Sequence, residues 1–325
     1  MAFSNTYNVT NPGSGVSNRE DLTDVLTILA PEETPVLSLA NKSKATATFN
    51  EWTVDVLATP SSVGIQEGAD ISSYTDKFAG RARLGNYIQL FRRDFMVSQL
   101  QQAVESVGPA RIAEAEAKAV REIKRDMEKT LCGDQDRSVE DGSSTRYVTR
   151  GLGNWLASAG PADVPSNFRT PAASINSSGT TLTENVFNGL IASIFTQTGT
   201  VDALSLVAGT TLRRTVSGYA RSDNNTNENV YHVNQMATDK EITLSVNTYD
   251  SDFGIITVIN GNPACLPDSS RGYILNPNYI GVAELMSLGS TRVPDQGGGQ
   301  RGFVDGAIAL QVFSPLAHGK ITAVS

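Results

Sequence analysis

Apolar residues recur at helical spacing most clearly between Gly108 and Gly133, in GPARIAEAEAKAVREIKRDMEKTLCG. Ile112, Ala115, Ala119, Val120, Ile123, Met127 and Leu131 make one apolar stripe, and charges of alternating sign fill the other faces. The pattern predicts one long amphipathic helix, roughly 35 Å at about 1.5 Å per residue. Pro109 suits its first position and Gly133 the left-handed position just past its end. Glu114 with Lys118, and Lys124 with Glu128, stand four residues apart, each pair contributing about 0.3 kcal/mol.

Before this helix the pattern changes twice. Residues 1–16 are polar and aperiodic and predict an extended arm. Ser17 and Glu20 have capping-box spacing, with Leu22, Val25, Leu26 and Leu29 at helical intervals behind them, and Pro31 ends that helix. From Thr46 to Val97 the character is β. FNEWTVDVL (Phe49 to Leu57) partly alternates as an outgoing strand, and RARLGNYIQLFRRDFMVS (Arg81 to Ser98) returns. The stretch between, Ala58 to Gly80, reads as a polar tip. Two strands around so long a tip are barely stable alone, so the hairpin makes sense lying against another molecule. A fold back onto its own domain is the alternative.

Ser98 to Val107 reads as a short helical piece, and Asp134 to Gly151 as a polar loop. Thr183 caps a second helix whose Val186, Phe187, Leu190, Ile191, Ile194 and Phe195 predict a buried face. Ala203 to Gly209 is a buried-type strand, TTLRRTVSGY a short helix, and Ser222 to Asn229 an exposed loop tip. EITLSVNTY and GIITVIN predict a hairpin around Asp250 to Phe253. The last strands come from Tyr273 to Leu285 and, after the glycines at 297–299, from Gly306 to Val324.

Composition narrows the function. The 325 residues are 39% hydrophobic and 18% charged, with 28 glycines, which suits a folded chain with a loop-rich part. A formal net charge of −8 argues against binding nucleic acid through non-specific charge. The N-terminus has no secretory pattern, and no apolar run approaches the roughly 20 residues that span a bilayer. Cys132 and Cys265 read as free thiols of a reducing compartment.

Catalytic and cofactor patterns are incomplete throughout. Gly151-Leu152-Gly153 starts a dinucleotide-type turn, but the third glycine position is Leu156. Asp250-Ser251-Asp252 starts a calcium loop that lacks its closing Glu. Asp134 and Asp136 could meet a divalent ion, but two carboxylates on a polar loop read as solvated. Of two histidines, neither His232 nor His318 has a partner at metal-ligand spacing, and His318 reads as structural. No nucleophile elbow occurs. Arg92-Arg93 and Arg213-Arg214 are basic pairs, not patches. The chain therefore reads as non-enzymatic, with no catalytic, cofactor or metal residues and no cofactor.

The order of pieces resembles the major capsid (major head) proteins of tailed bacteriophages with the Hong Kong 97-type fold. Within these it is similar to the subfamily with a short N-arm and no fused scaffolding segment. Seven stretches carry the likeness: PEETPV (Pro31 to Val36), the pattern of Glu51, Trp52, Asp55 and Leu57, EGAD (Glu67 to Asp70), and NYIQLFRRDFMVS (Asn86 to Ser98), followed by Glu122 with Lys124 to Glu128, YDSDFG (Tyr249 to Gly254), and SPLAHG (Ser314 to Gly319). The chain departs from the subfamily at Val97-Ser98-Gln99-Leu100, which lacks a Gly-Thr pair, and in the loop from Asp134 to Gly151.

The resemblance implies an α+β chain. Residues 1–45 would be the N-terminal arm with a short helix, and 46–97 the extended β-hairpin loop. Residues 98–200 would be a peripheral domain with its spine helix at 109–131, and 201–325 a mainly axial domain with strands returning to the periphery. It implies hexamers and pentamers of an icosahedral virion shell, assembled in the host cytoplasm around double-stranded DNA bound without sequence specificity. Portal, scaffolding and decoration proteins are the implied partners, with no membrane. Trp52, Glu67, Asp70, Arg81 and Arg83 are the candidate inter-subunit contacts. Lys42, Lys44 and Lys77 lie where a covalent crosslink could form. The competing readings are the shell of a cellular nanocompartment of the same fold and a soluble hydrolase.

Overall fold

A computed structural model of the chain describes residues 33–103, 111–177, 180–199, 204–219, 247–294 and 297–323. The N-terminal arm, the Ser17-capped helix, Pro109, the loop tip at 222–229 and His232 lie outside these residues. Among the described residues the elements run α1 (Pro35–Leu39), β1 (Asn41–Lys44), β2 (Phe49–Val54), β3 (Ala82–Tyr87), β4 (Gln89–Ser98), α2 (Gln99–Ala103), α3 (Ile112–Cys132) and α4 (Leu152–Trp155). They continue as β5 (Ile175–Asn176), α5 (Glu184–Thr198), β6 (Leu204–Ala208), α6 (Thr210–Tyr219), β7 (Thr248–Ser251) and β8 (Gly254–Asn260). The chain closes through β9 (Gly272–Leu275), β10 (Ile280–Val293), β11 (Gly299–Val312) and β12 (Gly319–Ile321).

These strands form a four-stranded sheet in the order β1-β10-β11-β4, a six-stranded sheet in the order β5-β12-β9-β6-β8-β7, and the ribbon β2-β3. The predicted helix is α3, and it lies on β4 and β11. Ile112, Ala119, Ile123, Met127 and Leu131 of its stripe are buried, with Ala115 and Val120 half-buried beside them. Its boundaries differ from the expectation. The residue before the helix is Arg111, in extended backbone, so Pro109 is not its first residue. Gly133 is extended (φ −72°) and not left-handed. Gly133 leaves open the space that the Gln135 amide occupies, which a Cβ there would crowd. The Gln135 amide instead caps the helix, donating to Thr130 O at 2.5 Å and Thr149 O at 3.2 Å. Glu128 does not pair with Lys124 on the surface: it is buried. Lys118 pairs with Glu122 at 3.9 Å.

Two stretches read as single strands are each divided between sheets. The return strand breaks at Ile88, whose N–H donates to Thr48 O (2.9 Å), so β3 joins the ribbon and β4 the large sheet. The 273–285 stretch breaks at Asn276-Pro277, since proline has no N–H for a ladder. β9 thus belongs to one sheet and β10 to the other. β10 and β11 are also far longer than expected, pairing from Ile280 with Val312 out to Val293 with Arg301.

The six-stranded sheet packs against α5, whose predicted buried face is realised in part, Val186 being half-buried and Phe195 exposed. Thr183 Oγ1 accepts from Val186 N (3.3 Å), Gly199 is left-handed (φ 72°), and Phe187, Leu190, Ile191 and Ile194 are buried against Leu204, Leu206 and Ile274. Since β5 and α5 precede residue 201, this module starts earlier in the chain than that boundary.

His318 ties the two sheets at the Pro277 crossover. It is fully buried, its Nδ1 accepts from Asn276 N (3.1 Å), and its Nε2 lies 3.3 Å from Tyr279 O. Burial holds its pKa down at about 4. A depressed pKa means the neutral ring stabilises the fold fully above the unfolded value near 6.5, and that contribution is lost as pH falls through about 4. The total is about 3 kcal/mol. Denaturant unfolding between pH 7.5 and pH 4 should show this loss in the native chain and lack it in His318→Gln, whose carboxylates titrate as in the native chain.

Candidate assembly surfaces

The ribbon β2-β3 pairs Phe49 with Tyr87 through Val54 with Ala82. Beyond it, every residue from 55 to 81 is exposed. The sequence reading took Ala58 to Gly80 as a polar tip, yet that stretch carries Val63, Ile65, Ile71, Tyr74 and Phe78; Leu57, expected to end the outgoing strand, lies beyond that strand, and Leu57, Ile65 and Tyr74 are each at least 88% exposed. Isolated surface apolar residues are ordinary, but so many on one unsupported excursion mark an interaction surface.

The five candidate contacts do not come together. Glu67 and Asp70 are exposed at the tip, beside the left-handed Gly68 (φ 80°), and make no ion pair among the described residues. Arg81 binds Asp55 at 2.9 Å and covers the Phe78 ring at 4.0 Å. The Arg81 hydrogen bond holds the Asp55 carboxyl below its ordinary range. Arg83 pairs with Glu51 at 3.6 Å. Trp52, expected as an apolar anchor for a neighbour, is half-buried on its own chain, 5.7 Å from Trp155 and 6.0 Å from Phe313. The ribbon root needs that indole to sit on the core, so the outward apolar surface comes from the tip.

The root is held by groups that the sequence reading missed. Asn86 is fully buried, donates to Leu310 O (2.8 Å) and Arg150 O (3.2 Å), and accepts from Arg150 N (2.8 Å). Arg150 is 1% exposed and contacts Asp136 and Asp163, both at 2.6 Å, while covering the Trp155 ring at 4.8 Å. Arg137 donates to Gly85 O at 2.5 Å, stacks over Phe49, and pairs with Asp163 at 3.2 Å. Burial raises the Asp163 pKa, but the Arg150 and Arg137 guanidinium groups outweigh it and the net shift is downward.

Asp134 and Asp136 are therefore not merely solvated. Asp134 receives Arg271 at 2.9 Å and Lys320 at 3.2 Å, and Lys320 also donates to Gly153 O at 2.6 Å. Burial lowers the Lys320 pKa, with Asp134 opposing it. Gly151 and Gly153, suspected of a dinucleotide turn, pack on the end of α3, with Gly153 N donating to Gly133 O at 2.9 Å.

A second clasp lies where the N-terminal segment leaves the core. Glu128 accepts from Val36 N and Leu37 N, both at 2.9 Å, at the start of α1. Burial raises its pKa, against those two hydrogen bonds. Cys132, buried beside Glu128, is a free thiol, as is Cys265. Among the described residues no group of three or more His, Cys, Asp or Glu could hold a metal, and no helix is long and apolar enough to cross a membrane.

A helix on a long-stranded sheet, a second mixed sheet and a projecting ribbon define a Hong Kong 97-type shell protein, and solved structures share this fold. The capsid of a native GTA particle matches with a TM-score of 0.65 at 11% identity, over 100% of both chains. The cyanophage A-1(L) capsid matches at 0.66 and 15% identity, over 96% of this chain and 98% of that one. Gordonia phage Cozz matches at 0.61 and 10% identity, over 99% of each. No curated protein sequence matched. The family model for the SU10 major capsid protein matches residues 3–325, so the chain belongs to that family. It is a structural, non-enzymatic protein that forms the shell of a virion capsid.

Two substitutions test the clasps. Asp134→Ala leaves Arg271 and Lys320 buried without their shared partner. Asp134 is itself 47% exposed, which discounts the penalty, and unfolding should show a loss of about 2 kcal/mol. Glu128→Gln keeps one acceptor of two and should cost about 1–3 kcal/mol, with hydrogen exchange at the Val36 and Leu37 amides rising most.

Proposed function

We propose that the subunits meet as hexamers and pentamers through the extended ribbon, whose tip lies on a second copy of the chain. One observation carries this reading: an apolar, fully exposed tip on a ribbon with no core of its own. A shell needs heterologous contacts that close into rings, and such contacts need elements the isolated subunit leaves unsatisfied. In this reading α3 and the four-stranded sheet form the peripheral domain, with α3 as its spine. The six-stranded sheet with α5 and α6 forms the axial domain.

The enclosed cargo is double-stranded DNA, held without sequence-specific contacts. The acidic balance supports this, since a strongly basic lining would bind phosphates tightly and oppose movement of the packaged DNA. Portal, scaffolding and decoration proteins complete the particle, which assembles in the host cytoplasm. The nanocompartment reading is not favoured, because the matched family is one of major capsid proteins.

Assembly followed by light scattering and negative-stain microscopy tests the ribbon. Ile65→Asp with Ile71→Asp should strongly reduce shells and rings, and Glu67→Ala with Asp70→Ala should weaken them. Because all four residues are exposed, subunit stability should stay within about 0.5 kcal/mol. Unchanged assembly in both double variants would remove the tip from the interface.

A further inference from the structure

We propose that the ribbon tip at residues 65–70 of one subunit docks in the cleft between the C-terminal half of α3 and the 262–267 loop of a second copy. This rests on the reading above, in which the tip lies on another subunit, and adds the surface that receives it. The cleft consists of two adjoining hollows of about 410 and 520 Å³, both lined by Lys129, Ala264 and Cys265. Its charges are unbalanced. Arg93 is taken up by Asp126, through two hydrogen bonds at 2.6 and 2.8 Å, and Glu122 pairs with Lys118. Arg125 and Lys129 make no ion pair among the described residues, and Arg125 Nε is buried with no hydrogen-bond partner. A buried donor left unmet is costly, so the site suits an acceptor of negative charge. Further along, Val148, Leu266 and Pro267 give the cleft an apolar wall.

The tip carries the complementary chemistry. Ala69 N donates to Gln66 O at 3.1 Å and Gly68 is left-handed (φ 80°), so the chain reverses direction there. Glu67 stands in that turn and Asp70 directly after it, both exposed and without an ion pair among the described residues. Ile65, just before the turn, is 88% exposed. Two free carboxylates beside a bare apolar side chain match two free cations beside an apolar wall. Glu67 and Asp70 answer Arg125 and Lys129, and Ile65 lies on the wall. Exposed ion pairs add little affinity, so burial of Ile65 supplies attraction and the charges select the place. Fourteen residues lead from Val54 to Gly68, a reach of at most about 46 Å beyond the ribbon, which is enough to cross to a neighbour. Every residue from 55 to 81 is exposed, so the tip does not fill the cleft of its own subunit.

A crosslink in assembled full-length chains tests this. Ala69 and Ala264 are exposed, whereas the two native thiols are buried, so Ala69→Cys with Ala264→Cys supplies the reporter pair. Oxidation of shells or rings formed under reducing conditions should give a ladder of linked chains on a non-reducing gel, with peptides around 69 and 264 joined. Adding Glu67→Lys and Asp70→Lys should slow linking about tenfold in the particles that form, two exposed ion pairs becoming repulsions. Placing Lys129→Glu on that background should restore most of the rate, and assembly where the reversal abolished it. Native-like particles, checked by microscopy, that form no such link or ignore the charge reversals would overturn the proposal, and so would links within one chain. Failure of the wider reading is distinguishable. In that case the Ile65→Asp, Ile71→Asp variant assembles unchanged, whereas a tip seated on another surface of its neighbour blocks assembly in that variant and leaves 69 and 264 unlinked.

Discussion

A projecting ribbon without a core can be aimed only from its root, and here the aim is set by a buried cation. Arg150 is almost fully enclosed, and a guanidinium in that position costs several kcal/mol unless carboxylates answer it. Asp136 and Asp163 answer it, the indole of Trp155 covers it, and its own backbone is bonded in both directions to Asn86 of β3. Tilting the ribbon would separate Asn86 from Arg150 and pull Trp52 off Trp155. The charge network and the aromatic contacts therefore resist the same displacement, and neither the tip nor the β2-β3 ladder has to supply stiffness.

Similar polar joints stand at two places where the chain passes between the large sheets. At the Pro277 crossover, His318 binds the backbone on both sides of the turn. At the end of α3, Asp134 collects Arg271, just before β9, and Lys320, from β12. Both partners start or lie in the six-stranded sheet, while Asp134 follows the helix that covers the other sheet. Burying apolar area alone would bring the two modules together in many orientations, since the hydrophobic effect is non-directional. Directional bonds at the crossovers select one of them.

The sequence carried the periodic elements well and the long-range ones poorly, for a physical reason. The α3 stripe, the Thr183 cap and the buried β6 are local patterns, and the structure has them where the spacing predicts. The division of 81–98 and 273–285 between sheets depends on which strand lies alongside, which no local period encodes. Asp134, Asp136 and Glu128 looked like solvated charges because their partners lie far away along the chain, at Arg271 and Lys320 for one and Val36 for another. Trp52 was legible as an apolar anchor but not as to whose core it anchors. The apolar residues of the tip were in plain view. Glycine and hydroxyl residues around Val63, Ile65 and Ile71 made the stretch look polar on average, when the useful signal was bulky apolar side chains with no periodic partner.

These placements bear on how copies of the subunit attract one another. The formal net charge is −8, and Arg150, Arg271 and Lys320, three of the 26 Lys and Arg residues, are buried and committed to carboxylates. The remaining surface is acidic enough that two copies repel at long range, an effect that salt screens over about 10 Å. Attraction must then come from short-range contact. The exposed ion pairs at hand, Arg81 with Asp55 and Arg83 with Glu51, are already closed within one chain and contribute little even if exchanged. The largest run of exposed apolar side chains among the described residues is Leu57, Val63, Ile65, Ile71, Tyr74 and Phe78, on a tip that its own root holds away from its core. In the reading proposed above, burial of that surface is the term that draws like-charged subunits together. Its concentration on one aimed element would let a non-directional force build a directed assembly.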